Sequence, residues 1–193
     1  MPFHTGLIHR TAFVLIVVDI QEKLAAAMER RDQVVSTAVR LVRAAALLGA
    51  PIIVTRQYPE GLGDVVPELK TALEDAAASV SVTTVDKVAF CACDEPRFLE
   101  TLYETGRSMA VLAGMETHIC VTQTALTLVK KAYPVHVVAD ACCSRRDADH
   151  AVALDRMRAA GAVVTTSESV IYEAVSTAGT DEFRRLLEIV KEG

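Results

Sequence analysis

Residues 111–129 read VLAGMETHICVTQTALTLV, an apolar run that changes into a helical pattern within a few residues. A continuous run of Val, Leu and Ala is typical of a strand buried on both faces, as in parallel sheets covered by helices. Cys120 lies at the junction, where the backbone N–H groups of a helix start point outward. The stretch therefore predicts a strand, a turn that carries a thiol, and a helix.

The same alternation recurs along the whole chain. Six apolar runs are each followed by a helical pattern, and no Gly/Ser-rich or Pro-rich linker interrupts them. The runs are residues 11–19, 51–58, 81–87, 108–114, 134–140 and 162–170. This order predicts a three-layer α/β/α fold with a six-stranded, mostly parallel, Rossmann-like sheet. The 193 residues suit one domain over residues 1–193.

Composition argues against several classes of partner. The net charge is −5 and the basic residues are scattered, so we expect no nucleic-acid partner. The longest apolar run, residues 12–18, is too short to span a bilayer, and a signal-peptide pattern is missing, so we expect a cytoplasmic protein without a membrane partner. Five cysteines, an odd number, indicate reduced thiols and no disulfide framework.

Polar and sulfur-bearing residues follow several of the predicted strands. In open parallel sheets, ligands bind beyond the carboxyl ends of the strands, near the point where the strand order reverses. The residues at these ends are Asp19, Arg56, Gln57, Tyr58, Asp86, Lys87, Cys120, Asp140, Cys142 and Cys143. If the first and fourth strands are neighbours, Asp19 and Cys120 face each other at this edge.

An acid, an amine and a thiol at one sheet edge suit nucleophilic catalysis. A thiol has a pKa of about 8.5, which falls at a helix N-terminus or beside a cation such as Lys87. We therefore expect a lowered pKa for Cys120, iodoacetamide labelling well below pH 8, and slower labelling when Asp19 or Lys87 is replaced. Asp19 can carry the proton, and backbone N–H groups of residues 114–120 can bind an oxyanion.

Each of the three residues also has a structural interpretation that the sequence leaves open. Asp19 can begin a helix as its N-cap, Lys87 can be a solvated surface residue, and Cys120 can be a small buried apolar residue. Cys91 with Cys93, and Cys142 with Cys143, lack the Cys-x-x-Cys spacing of metal and redox sites, so we interpret them as buried or incidental thiols.

Three motifs resemble the isochorismatase-like cysteine hydrolases, a superfamily that includes nicotinamidases and N-carbamoylsarcosine amidohydrolases. The motifs are LIVVDIQ at 15–21, DKVAF at 86–90 and AGMETHICVTQTA at 113–125, in the family's order and at similar spacing. The resemblance covers roughly residues 11–172. It implies a three-layer α/β fold and, in most members, assembly into homo-oligomers.

The resemblance also assigns roles. It implies Asp19 as general base, Cys120 as nucleophile and Lys87 as the cation that tunes both. It further implies a cis peptide between Met115 and Glu116, which lets the N–H groups of Glu116 and Cys120 converge on an oxyanion.

The segment after the second strand departs from the nicotinamidase pattern. Those enzymes carry an Asp-x-His metal motif there, whereas residues 55–69 read TRQYPEGLGDVVPEL and contain no histidine. All five histidines, at 4, 9, 118, 136 and 150, lie elsewhere. We therefore predict no metal site and no cofactor. The segment resembles the metal-free branch called isochorismatase domain-containing proteins.

The presence of Cys120 favours covalent chemistry over the vinyl-ether cleavage of true isochorismatases. The expected reaction is hydrolysis of a small amide or carbamoyl substrate through a thioester. The residues expected around the substrate are Gln21, Tyr58, Phe90, Thr117 and Ile119; Gln21 can instead orient Asp19 or simply begin a helix. The alternative function is a catalytically silent scaffold that binds a small ligand or a protein.

Overall fold

A six-stranded parallel sheet crosses the protein, described here by a computed structural model that covers residues 6–191. The strands are β1 Phe13–Val18, β2 Ile52–Gln57, β3 Val82–Lys87, β4 Met109–Met115, β5 Val135–Cys143 and β6 Val163–Thr165. Their spatial order is β3-β2-β1-β4-β5-β6, and every neighbouring pair is parallel. The predicted fold class is confirmed.

Nine α-helices lie within residues 6–191 and cover both faces of the sheet. They are α1 Glu22–Ala25, α2 Arg31–Leu48, α3 Pro59–Leu62, α4 Pro67–Ala76, α5 Pro96–Glu104, α6 Thr122–Lys130, α7 Asp147–Ala159, α8 Ser167–Val175 and α9 Asp181–Lys191. None of the helices in this part of the chain is long and apolar enough to cross a membrane.

Strand β1 shows why the sheet has two apolar faces. All six of its residues are buried: Phe13, Leu15 and Val17 belong to one apolar cluster, and the residues between them belong to the other. Helices α2, α4, α8 and α9 pack in the first cluster, and α5, α6 and α7 pack in the second. Side chains that alternate between two covered faces explain why the strand reads as an unbroken apolar run.

The strand order reverses between β1 and β4. β1 pairs with β2 on one side and with β4 on the other, and Val18 lies opposite Gly114 in the register of the β1–β4 pair. The first and fourth strands are therefore neighbours, which is the condition under which Asp19 and Cys120 were expected to face each other. Asp19, directly after Val18, lies beside the chain that leads to Cys120.

Two local features differ from the sequence-based expectation. β5 is nine residues long and continues through Cys143, with a register shift in its pairing to β4. Asp140, Cys142 and Cys143 are therefore part of the strand and do not follow it. The Asp140 carboxylate accepts hydrogen bonds from the N–H (2.8 Å) and the hydroxyl (2.5 Å) of Ser167, so it anchors the start of α8.

The second feature is a π-helical turn at Thr117–Val121, called the π-turn below. It separates β4 from α6 and carries Cys120.

Gly114 allows β4 to approach the end of β1 closely. Its φ is +141°, and a Cβ at this position would lie 2.0 Å from the backbone oxygen of Val18. Backbone atoms cannot move aside as a flexible side chain can, so Gly114→Ala combines conformational strain with overpacking.

We expect Gly114→Ala to lose about 1–3 kcal/mol of unfolding free energy more than Gly106→Ala, measured by urea denaturation. Gly106 is the matched control because it also has a positive φ, +64°, but has no atom within 4 Å of an added Cβ. Equal losses in the two variants would contradict the close approach at Val18.

Candidate active site

Three buried side chains from three strand ends meet at the β1–β4 edge. Asp19, directly after β1, has a left-handed φ of 53° and is fully buried. Lys87, the last residue of β3, is 2% exposed, and its Nζ lies 2.7 Å from Asp19 Oδ2. Cys120 is 4% exposed and lies close enough to both for each to act on its pKa. The sequence-predicted acid, amine and thiol are thus brought together.

The Asp19–Lys87 ion pair is held by polar groups from β2, the strand between them. Thr55 Oγ1 donates to Asp19 Oδ1 (2.6 Å), and Lys87 Nζ donates to Gln57 Oε1 (2.6 Å). The Gln57 amide is oriented in turn, because its Nε2 donates to the Val88 carbonyl (2.6 Å). A buried ion pair needs such hydrogen bonds to offset the loss of hydration.

Sequence reasoning assigned no role to Thr55 and listed Gln57 only by its position. A signal was nevertheless present: both are polar residues of β2 spaced two apart, and they therefore lie on the same face of the strand. What the sequence did not show is which side chains after β1 and in β3 these two residues contact.

Gln21 belongs to the same polar layer. Its Oε1 accepts from the Gln57 N–H (2.7 Å), and its Nε2 donates to the carbonyls of Gln57 (3.1 Å) and Gly63 (2.8 Å). Gln21 is fully buried and gives no side-chain cap to α1. Its side chain is therefore committed to backbone groups, which favours a positioning role over substrate contact.

The pKa of Cys120 shifts in the direction opposite to the predicted one. Burial, followed by the negative charge of Asp19, raises the pKa of Cys120 to about 12, and Lys87 opposes this shift only in part. The thiol is not at the first residue of an α-helix, since the π-turn precedes α6. The predicted lowering of the pKa is therefore wrong, because desolvation and a nearby carboxylate outweigh the cation. The expected labelling well below pH 8 and the expected slowing when Asp19 is replaced rested on that lowering, and both are reversed. At neutral pH, Cys120 is a protonated thiol beside an acceptor for its proton.

The backbone before Cys120 has an unusual geometry. The peptide between Met115 and Glu116 is cis, as the resemblance implies. The Glu116 carbonyl accepts from the N–H of Ile119 (3.0 Å). The buried Glu116 carboxylate accepts from the backbone N–H (2.9 Å) and Nε (3.2 Å) of Arg145, just beyond β5.

The residues expected around a substrate divide into two groups. Tyr58 and Phe90 are 51% and 55% exposed. The Tyr58 N–H donates to the Lys87 carbonyl (2.8 Å), so the two backbones are adjacent, while the ring of Tyr58 lies against Gly61. Ile119 is half-buried. Thr117 is fully buried, and its hydroxyl hydrogen-bonds the Nδ1 of His150 (2.9 Å), so its side chain faces inward.

The remaining thiols are buried, as expected, and all five cysteines are free. A hydrogen bond from the Cys93 thiol lowers the pKa of Cys91 to about 6. The Sγ of Cys91 also lies 3.4 Å from Thr127 Oγ1, and this contact lowers the pKa further. Any chemical labelling of Cys120 therefore has to be located by peptide mass spectrometry.

Among residues 6–191, no group of three or more His, Cys, Asp or Glu side chains is arranged to hold a metal ion. His4 lies outside the described residues.

A doubly wound parallel sheet with a buried acid–amine pair and a thiol at its switch point defines an α/β protein of the isochorismatase-like class. The chain belongs to the isochorismatase family: the isochorismatase domain matches residues 13–169.

Curated relatives agree with this membership. The chain is 40% identical to isochorismatase domain-containing protein 2A of Mus musculus over 190 residues, which covers 97% of this chain and 86% of the mouse protein. It is 38% identical to the secreted isochorismatase effector Isc1 of Phytophthora sojae over 181 residues, covering 93% and 84% of the two chains.

Solved structures show the same fold. The MAR1 ribonuclease of Caenorhabditis elegans is similar with a TM-score of 0.87 at 35% identity, over 96% of this chain and 92% of that one. The octameric hydrolase YcaC of Escherichia coli has a TM-score of 0.85 at 24% identity, covering 98% and 92%. Nicotinamidase of Bacillus subtilis has a TM-score of 0.73 at 22% identity, covering 80% and 99%. The last two likenesses concern the fold alone.

Proposed function

We propose that the chain is a cysteine-dependent hydrolase of a small amide or carbamoyl substrate. The observation that carries the proposal is that the buried Cys120 thiol lies close enough to the Asp19–Lys87 pair for both charges to act on it. A thiol with a raised pKa needs a proton acceptor at the moment of attack, and Asp19 is that acceptor.

In the proposed reaction, Cys120 Sγ attacks the substrate carbonyl carbon while its proton passes to Asp19. The N–H groups of Glu116 and Cys120 stabilise the oxyanion of the tetrahedral intermediate. Asp19 then gives the proton to the departing amine, and a thioester remains on Cys120. Water attacks the thioester, Asp19 removes a proton from it, and the acid product leaves with the free thiol restored.

Burial limits the size of the substrate. Only 4% of Cys120 is exposed, so a reacting carbonyl has to reach the sulfur through a narrow approach. The exposed rings of Tyr58 and Phe90 are proposed to border this approach, with Ile119 beside them. A small uncharged amide or ureido group fits this environment better than a peptide chain, because a charged group would lose its hydration there.

The test is ammonia release from a panel of small primary amides and ureido compounds. We expect release by the unmodified chain, none by Cys120→Ala, and unchanged release by Cys142→Ala, which removes a buried thiol from β5. Acid quenching should trap an acyl adduct, and mass spectrometry should place it on Cys120.

Two results would contradict the proposal. Release that survives Cys120→Ala would remove this thiol from the mechanism. Absence of both release and adduct across the panel would favour the catalytically silent scaffold.

We also propose a homo-oligomer in solution. The support is that YcaC, which shares the fold, is an octamer. Native mass spectrometry of the full chain tests this, and a monomer at micromolar concentration would count against it.

A further inference from the structure

We propose that His150 is a positioning residue that holds the π-turn, and with it the oxyanion donors, through its hydrogen bond to Thr117. This inference rests on the proposed function and adds to it a residue from α7, an element that supplies none of the groups in the proposed reaction. The observation behind it is the 2.9 Å contact between Thr117 Oγ1 and His150 Nδ1, both buried.

Thr117 lies between the two proposed oxyanion donors. Glu116 precedes it, and Cys120 follows three residues later in the π-turn. The Thr117 carbonyl accepts from Thr122 Oγ1 (2.6 Å), which ties the turn to the start of α6. The hydroxyl is tied to α7. A shift at Thr117 therefore moves the N–H of Glu116 and the N–H of Cys120 relative to each other.

His150 provides a fixed anchor. It lies in the first turns of α7, a helix that packs against β5, β6 and the π-turn, and it is 8% exposed. Burial and the charge of Arg30 lower the pKa of His150, while Asp147 opposes the shift, so the imidazole is neutral at neutral pH. A neutral ring has one donor and one acceptor nitrogen and can bond a hydroxyl in either sense.

The histidine inside the turn has a different task. His118 is half-buried, and its Nδ1 lies 2.9 Å from Ser144 Oγ, so it joins the turn to the segment after β5. Both bonds hold residues between the two donors, but the bond from α7 reaches Thr117, which directly follows Glu116.

Two electrophiles separate a positioning role from a general loss of reactivity. With iodoacetamide, a sulfur–carbon bond forms, iodide leaves with its bonding pair, and the thiol proton goes to buffer, so no oxyanion develops. With acrylamide, sulfur bonds to the terminal carbon, the π pair moves toward the carbonyl oxygen, and the thiol proton ends on the carbon beside the carbonyl. Of the two reactions, only the acrylamide addition develops negative charge on an oxygen, and backbone N–H donors can stabilise such a charge.

The experiment measures both rate constants at Cys120 in the full chain, with the label located by peptide mass spectrometry. His150→Ala and Thr117→Val are each expected to lower the acrylamide-to-iodoacetamide rate ratio by about 10-fold to 100-fold, since small misplacements of reacting groups have effects of this size. The double variant should lose no more than either single variant. His150→Asn and Thr117→Ser, which keep a hydrogen-bonding group, should stay within about threefold of the unmodified ratio.

Leu154→Ala is the matched control, because it removes a partly buried apolar side chain from the same helix. An unchanged ratio in His150→Ala, an equal fall in Leu154→Ala, or additive losses in the double variant would overturn the positioning role. These outcomes leave the proposed function standing if the unmodified chain reacts at Cys120. An unmodified chain that reacts with neither reagent at Cys120 would contradict both proposals.

Discussion

Asp19→Asn is expected to slow hydrolysis by about 10²–10⁴ while making Cys120 more readily alkylated at neutral pH. Hydrolysis falls because no group remains to take the thiol proton and return it to the departing amine. Alkylation rises because the Asp19 charge raises the pKa of Cys120, and its removal leaves the opposing effect of Lys87. The thiolate fraction at pH 7.5 then grows about tenfold for each unit by which the pKa falls.

The pH profile of alkylation tests the direction of the Cys120 pKa shift independently. In the unmodified chain, the rate at Cys120 should keep rising with pH toward about 12, because only the thiolate reacts. In Asp19→Asn, the rate should level off at a lower pH. The measurement is the iodoacetamide rate constant between pH 6 and about 10, where a free thiol levels off above about 8.5.

Asp86→Asn is the control for the loss of a carboxylate at the same sheet edge. Asp86 precedes Lys87, is exposed, and pairs with Arg56 at 2.7 Å. This variant should change neither hydrolysis nor alkylation. Slower alkylation in Asp19→Asn than in the unmodified chain would show that Asp19 assists the thiol even without an amide substrate, against the electrostatic account.

Lys87→Met is expected to abolish hydrolysis and to lower the unfolding free energy by about 3–5 kcal/mol. The substitution keeps a long, unbranched side chain but leaves the fully buried Asp19 carboxylate without its cation. Gln57 loses a donor at the same time, since Lys87 Nζ bonds its Oε1 at 2.6 Å. Urea denaturation measures the change in stability, and ammonia release measures the change in activity.

A surface pair of nearly the same length provides the comparison. Lys70 lies 2.8 Å from Asp64, but the two side chains are 54% and 38% exposed. Lys70→Met should lose no more than about 1 kcal/mol, because exposed ion pairs contribute little. The double variant Asp19→Asn, Lys87→Met should recover part of the loss, since it removes the unpaired charge. Equal losses of unfolding free energy in Lys87→Met and Lys70→Met would contradict the role assigned to burial. So would the absence of any recovery in the Asp19→Asn, Lys87→Met double variant.

Much of the fold could be predicted from local patterns. The apolar run of β1 and the helical pattern of α6 each follow from the side chains within the element, and short connections join them. The end of β5 could not be predicted in this way. Its last residues belong to the strand because of their pairing with β4 after the register shift, which is a contact between distant segments.

The same distinction between local patterns and contacts of distant segments applies to the candidate site. Asp19, Lys87 and Cys120 were predicted because they follow apolar strands and match the family's motifs. The bonds that hold them were not: Gln57 reaches Lys87 because β2 lies between β1 and β3, and His150 reaches Thr117 because α7 packs on the π-turn. Hydrogen bonds between segments 30 or more residues apart leave no periodic signal in the sequence.

The sequence by itself determined the fold class, the resemblance to the isochorismatase-like family and the chemical types at the sheet edge. These depend on side-chain periodicity and on short motifs, which are local properties. The tertiary structure decided the partners of the ion pair and the direction of the Cys120 pKa shift. Both depend on desolvation and on the distances between charges from separate strands, and these quantities exist only when the chain is folded.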